Sequence, residues 1–138
     1  MALVCFTFFV LLRLQKNQSD MEQEIQKCVE LLKAGKVILY PTDTVWGLGC
    51  DATNEEAILK IYHIKQRDEK KSMIILLDSA ERLPMYVKDI PLIAWDLIPH
   101  ISRPTTFIYP TAQNLPAKLV HNDGTIAIRI VQDRKSVV

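Results

Sequence analysis

The sequence predicts an α/β domain. Segments with apolar residues at helical spacing alternate with short runs of β-forming residues, and Gly, Pro or Asn-Asp-Gly separates them. Glu22 to Ala34 carries Ile25, Cys28, Val29 and Leu32 at helical spacing; Met21 opens this helix and Gly35 fits the position that ends it. Lys36–Tyr40 follows at once as a strand expected to be buried on both faces and stopped by Pro41. Thr42, Asp43 and Thr44 then offer hydroxyls and a carboxylate, and Gly47 and Gly49 punctuate what reads as a polar loop. Ligands of open α/β sheets sit just beyond the carboxyl ends of strands, where these residues fall. Thr53 and Glu56 have the spacing of a capping box for a second helix. Ala57, Ile58, Ile61 and Ile64 are expected inward on it, with Lys60 and Lys65 toward its C-terminal half. Met73–Leu77 is a second buried-strand candidate. Ser79 is expected to cap a short helix that stops near Pro84, and a further helix to run from Pro91 toward Ile98. Thr105–Tyr109 reads as a strand between Pro104 and Pro110, and the Asn122-Asp123-Gly124 turn leads into the strand Thr125–Ile130. Strand order is not legible.

A chain of 138 residues is enough for one domain with one core. Its net charge of +1 points to no partner globally, so a nucleic-acid role would need a local basic patch. Cys5, Cys28 and Cys50 are far apart, odd in number and lack a CxxC pair, which argues against a disulfide framework or a zinc site and fits a reducing cytoplasm. His63, His100 and His121 show no metal-ligand spacing, and no metal site is expected from them. Trp46 and Trp95 read as core or pocket wall, and Cys50 as a small buried hydrophobe.

Both ends look foreign to the domain. Ala2–Leu12 is an apolar run of signal-peptide length, too short to span a bilayer comfortably, with no basic residue ahead of it and no small-residue cleavage site behind. A misplaced start is favoured over a secretory signal because Met21 opens a well-formed helix. Asp133–Val138 reads like the translation of a sequencing adapter, which would make the chain a piece of a longer one. The expected division is a leader over 1–20, the domain over 21–132 and a foreign tail over 133–138.

Two constellations could carry chemistry. Lys65, Arg67, Lys70 and Lys71 form a basic cluster between the second helix and the Met73–Leu77 strand; alone it would read as a solvated helix end. Along Thr125–Ile130, Ile126, Ile128 and Ile130 share one face while Thr125, Ala127 and Arg129 share the other. With the isoleucines buried, Thr125 and Arg129 face a cleft roughly 13 Å apart at ~3.3 Å per residue, a span suited to an extended ligand. A half-exposed edge strand whose Arg129 reaches water fits the alternation equally well.

Pro41 to Ala52, PTDTVWGLGCDA, closely resembles the signature PTDTVYGLGCDA of the threonylcarbamoyl-AMP synthases, the YrdC-like family, with Trp46 in place of the usual tyrosine. TIAIR at Thr125–Arg129 is similar to the family's TVAVR strand. Lys65-Gln66-Arg67 followed by Lys71-Ser72-Met73 resembles its Lys-x-Arg pair and Lys-Pro-Leu or Asn-Pro-Leu turn. Ser72 replaces the expected proline, and Leu76 stands where many members place a threonine-contacting histidine. Ser102–Thr106 replaces a Pro-Gly-Pro-x-Thr segment and lacks its glycine. The resemblance runs from Met21 to about Ile130 and covers only the first part of the family domain, without its Ser-Ala-Asn motif.

The resemblance implies a YrdC-like twisted mixed sheet flanked by helices, incomplete at the C-terminus. It implies L-threonine contacts from Thr44 and Arg129 and ATP contacts from Arg67, Lys71 and Thr125. Lys65 and Arg67 would be the catalytic pair, Lys65 supporting the site or an RNA contact. The implied reaction joins L-threonine, bicarbonate and ATP to threonylcarbamoyl-AMP and pyrophosphate, with Mg2+ bridging the phosphates. Downstream tRNA threonylcarbamoyl-transfer proteins would use the product in the cytoplasm, with no membrane partner. Such chemistry needs positioning and cationic stabilisation and no protein nucleophile. The rivals are an RNA-binding module without catalysis and a carbamoyl-transferring relative in hydrogenase maturation. As written, the chain is expected to be inactive and marginally stable, with part of its isoleucine face uncovered.

Overall fold

The computed structural model describes residues 3–8, 18–41, 45–66 and 72–131, with the backbone alone over 3–8 and 18–21. Its strands are β1 (Leu3–Phe8), β2 (Ile38–Pro41), β3 (Trp46–Asp51), β4 (Ile74–Leu77), β5 (Phe107–Tyr109) and β6 (Ile126–Ile130). Its α-helices are α1 (Gln18–Lys33), α2 (Glu55–Lys65), α3 (Leu83–Tyr86) and α4 (Leu92–Leu97). The strands form a six-stranded sheet in the order β2-β3-β1-β4-β6-β5. β4 and β6 pair in parallel and all other neighbours are antiparallel, so the sheet is mixed, as expected.

One face of this sheet makes the core. Cys50, Ile75, Leu77, Ile126, Ile128 and Tyr109 are buried there together with Ala57, Ile58, Ile61 and Tyr62 of α2, and α3 and α4 add Leu83, Tyr86 and Ala94. Ile126 and Ile128 are each 1% exposed and Ile130 packs against the cluster, so the isoleucine face expected to lack cover is covered. Burying an aliphatic side chain of this size contributes about 1.5–3 kcal/mol. Cys50 is fully buried, and desolvation, with the Asp51 charge next, pushes its thiol up to about 12, so it is a packing residue.

Several local expectations change. β2 is an edge strand whose Leu39 is 62% exposed, not a strand buried on both faces; among the described residues its partner is β3. That partner is the segment read as a loop. Gly47 and Gly49 pair with Tyr40 and Ile38, so the glycines belong to a β-hairpin. α1 starts at Gln18, ahead of Met21, and ends as expected: Gly35 N–H donates to the Leu32 carbonyl at 3.0 Å and Lys36 N–H to the Leu31 carbonyl at 2.9 Å, with Gly35 at φ +67. α2 is capped by Asn54, whose Oδ1 accepts from the Ala57 amide at 3.0 Å. Thr53 lies one residue ahead of the cap, and its hydroxyl donates to Asp51 Oδ1 at 2.7 Å. The buried stripe of α2 runs through Ile58, Ile61 and Tyr62, and Ile64 falls beside it, 58% exposed. Pro84 sits in the first turn of α3, where its missing N–H costs nothing, so the helix continues past it; Ser79 makes no side-chain cap bond. Trp95 is 37% exposed on α4, not in the core.

Residues 3–8, expected to lie in a leader, pair on both sides: Leu3 opposite Asp51 and Leu76, Cys5 opposite Gly49 and Ile74. This strand joins the β2–β3 hairpin to the β4-β6-β5 half. No described helix is long and apolar enough to cross a membrane.

Candidate active site

The strand registers fix how the strands that carry the sequence signatures run. β1 runs antiparallel to β3 and to β4, so β3 and β4 run the same way, and β6 runs with β4. The first residues of β3, β4 and β6 therefore open from the same edge. Pro41 pairs with Trp46 at that edge, Ser72 lies two residues ahead of β4, and Thr125 immediately precedes β6. Thr44, Arg67 and Lys71 lie outside the described residues.

Lys65 is the last residue of α2. It extends the helix's buried stripe by one step after Ile58, Ile61 and Tyr62, which explains why a cation is half-buried there. A helix C-terminus favours that charge. Gln66 follows in the left-handed region at φ 46 and ends the helix, its amide donating to the His63 carbonyl at 3.1 Å.

Thr125 is fixed by its turn. Its amide and hydroxyl both donate to Asp123 Oδ1, at 3.0 and 2.7 Å, and His121 Nδ1 lies 3.0 Å from the same oxygen. The Thr125 hydroxyl first, then its amide and His121, hold the Asp123 carboxyl down at about 2. The hydroxyl oxygen keeps acceptor capacity.

Arg129 stands on the sheet face opposite the core. Its neighbours Ile128 and Ile130 turn inward, while Arg129 and Ala127 are half-buried on the other side. Leu76 lies beside it on β4. Its Nε donates to Thr106 Oγ1 at 3.1 Å. The expected face is therefore formed, with Thr125 at the strand entrance and Arg129 farther along it. The sequence alone does not set Thr106 against Arg129; that takes the register of β5 and β6.

On the helix side, a groove of about 600 Å3 runs along α2 between Lys36, Val37, Lys60, His63 and Ile64; none of the expected site residues lines it. Among the described residues no group of three His, Cys, Asp or Glu side chains could hold a metal ion.

The model of the family of Sua5, YciO and YrdC proteins, described as telomere recombination, matches residues 30–135. The chain belongs to this family. Curated relatives carry the name threonylcarbamoyl-AMP synthase. The protein from Pseudoalteromonas translucida is 37% identical over 112 residues, covering 79% of this chain and 60% of its own length. That from Moraxella catarrhalis is 38% identical over 117 residues, covering 78% and 57%. This Sua5/YciO/YrdC chain thus spans less than two thirds of the length of those relatives. Among solved structures, P. abyssi Sua5 complexed with L-threonine matches with a TM-score of 0.76 and 30% identity over 81% of this chain and 33% of that one. E. coli YciO matches with a TM-score of 0.69 and 26% identity over 82% and 55%. The α/β fold implied by the resemblance is the fold these solved structures match.

Proposed function

We propose that this chain carries the L-threonine- and ATP-binding face of a threonylcarbamoyl-AMP synthase. The observation that carries the reading is Arg129, a half-buried guanidinium on the sheet face away from the core, in a fold similar to that of a Sua5 complexed with L-threonine. Guanidinium meets a carboxylate through two parallel hydrogen bonds, so Arg129 would hold the threonine carboxylate, with Thr44 adding a hydroxyl contact. Thr125 would contact the nucleotide. An anion against its hydroxyl would meet the ionised Asp123, so Thr125 suits ribose or base better than phosphate. The phosphates would fall to Arg67 and Lys71, and Lys65 would add positive charge from the helix end.

In this reading the threonine amine and bicarbonate give a carbamate, losing water. A carbamate oxygen attacks the α-phosphorus of ATP, the bond to the β-phosphate oxygen breaks, and pyrophosphate leaves. The side chains orient the two substrates and offset charge on the phosphates. Magnesium would enter as the Mg–ATP substrate. The product would supply a tRNA modification in the cytoplasm, through proteins that transfer the threonylcarbamoyl group.

The test is ATP–pyrophosphate exchange by the full chain with L-threonine and bicarbonate added or withheld. Exchange that requires both supports the reading. Binding of tRNA with no exchange overturns it in favour of an RNA-binding module, and dependence on carbamoyl phosphate would identify a carbamoyl-transferring relative.

A further inference from the structure

We infer that Thr106 is a positioning residue for L-threonine: it holds the Arg129 guanidinium so that the far edge of the fork meets the substrate carboxylate. This rests on the assignment of Arg129 above. β5 and β6 pair antiparallel with Phe107 opposite Ile128 and Ile108 opposite Ala127. One further step along this register sets Thr106 opposite Arg129. Residues directly opposite in an antiparallel pair send their side chains to the same face, close enough to touch. Thr106 Oγ1 accepts from Arg129 Nε at 3.1 Å, and both residues are half-buried.

The choice of nitrogen matters. A guanidinium is planar, with Nε on one flank and two Nη groups at its end. A bond through Nε orients the guanidinium plane, and the Nη end of a guanidinium can grip a carboxylate with two parallel bonds. Threonine is suited to this task because branching at Cβ restricts χ1, so its hydroxyl stays where the backbone puts it. The adjacent Thr105 turns its own hydroxyl to the Arg103 carbonyl at 2.9 Å, which separates the two threonines by role. Across β6 on the other side, Leu76 is apolar and supplies packing without direction.

The test uses the full chain, Thr106→Val, which keeps the shape and removes the hydroxyl, and Thr106→Ser, which keeps the hydroxyl. L-threonine and ATP affinities are measured separately by calorimetry, and exchange of the Arg129 Nε–H with solvent is followed by NMR. Thr106→Val is expected to weaken L-threonine about tenfold, as for loss of one hydrogen bond to a charged group, to leave ATP within about twofold, and to speed Nε–H exchange. Thr106→Ser is expected to recover most of the affinity. Unchanged L-threonine affinity in Thr106→Val overturns the positioning role alone. Equal loss of L-threonine and ATP would mark Thr106 as structural and also overturn it. Failure of the unmodified chain to bind L-threonine would sink the assignment of Arg129, and the positioning role with it.

Discussion

Gly35→Ala tests the joint that anchors α2, the helix whose other end carries Lys65. Gly35 has φ +67, and a methyl built there would sit 2.8 Å from Asn54 Nδ2. Asn54 is the cap of α2, accepting from the Ala57 amide at 3.0 Å, and Lys60 Nζ donates to the Gly35 carbonyl at 3.1 Å across the same joint. Placing a Cβ in the left-handed region costs roughly 1–2 kcal/mol. Pushing Asn54 off the helix end costs about 1 kcal/mol more. We expect Gly35→Ala to destabilise the domain by about 2–3 kcal/mol, a large share of the ~5–15 kcal/mol typical of a domain. Urea unfolding followed by circular dichroism, on the unmodified chain, Gly35→Ala, Asn54→Ala and the double variant, separates the two contributions. Asn54→Ala removes the atom that the new methyl would meet, so the double variant should be less destabilised than the sum of the singles by about 0.5–1 kcal/mol. A loss below about 0.5 kcal/mol for Gly35→Ala, or additivity within about 0.3 kcal/mol, would refute this account of the joint.

Arg129→Lys should weaken L-threonine at least tenfold in a binding titration, because an ammonium lacks both the Nε bond to Thr106 and the fork; a change confined to ATP affinity would reassign the residue. Arg67→Ala should leave the melting curve in place and raise the ATP concentration needed for pyrophosphate exchange, and unaltered exchange at subsaturating ATP would remove Arg67 from the phosphate site. Asp123 is held at about 2 in the folded chain against an ordinary 3.8. Its contribution is present above the unfolded value and lost as pH falls from about 4 toward 2, so Asp123→Asn should flatten stability against pH in that window, and an identical acid limb would contradict the turn geometry. Cys5→Pro interrupts β1 where it pairs with both Gly49 and Ile74; it should cost about 1–3 kcal/mol in the same urea experiment, and an unchanged midpoint would show that Leu3–Phe8 does not hold the sheet together.

What was legible in the sequence follows from how local its cause is. Period-two alternation made Ile126 and Ile128 inward and Arg129 outward, because the pleat alone decides it, and the structure keeps that division. The end of α1 at Gly35 was legible because one residue without a Cβ meets one backbone requirement. β3 was not. Glycine is a weak strand former, so a segment reading WGLGCD carries a loop's composition, and its pairing with β2 and β1 comes from partners elsewhere in the chain. The cap of α2 was misplaced by one residue for a similar reason. Thr53 and Asn54 are both good caps by type, and the helix begins at Glu55, which puts Asn54 and not Thr53 at the cap position. Thr106 shows the same limit at the site itself. The strands Thr105–Tyr109 and Thr125–Ile130 were both readable, but which residue faces Arg129 depends on their register. A slip of one residue would set Thr105 or Phe107 opposite it instead.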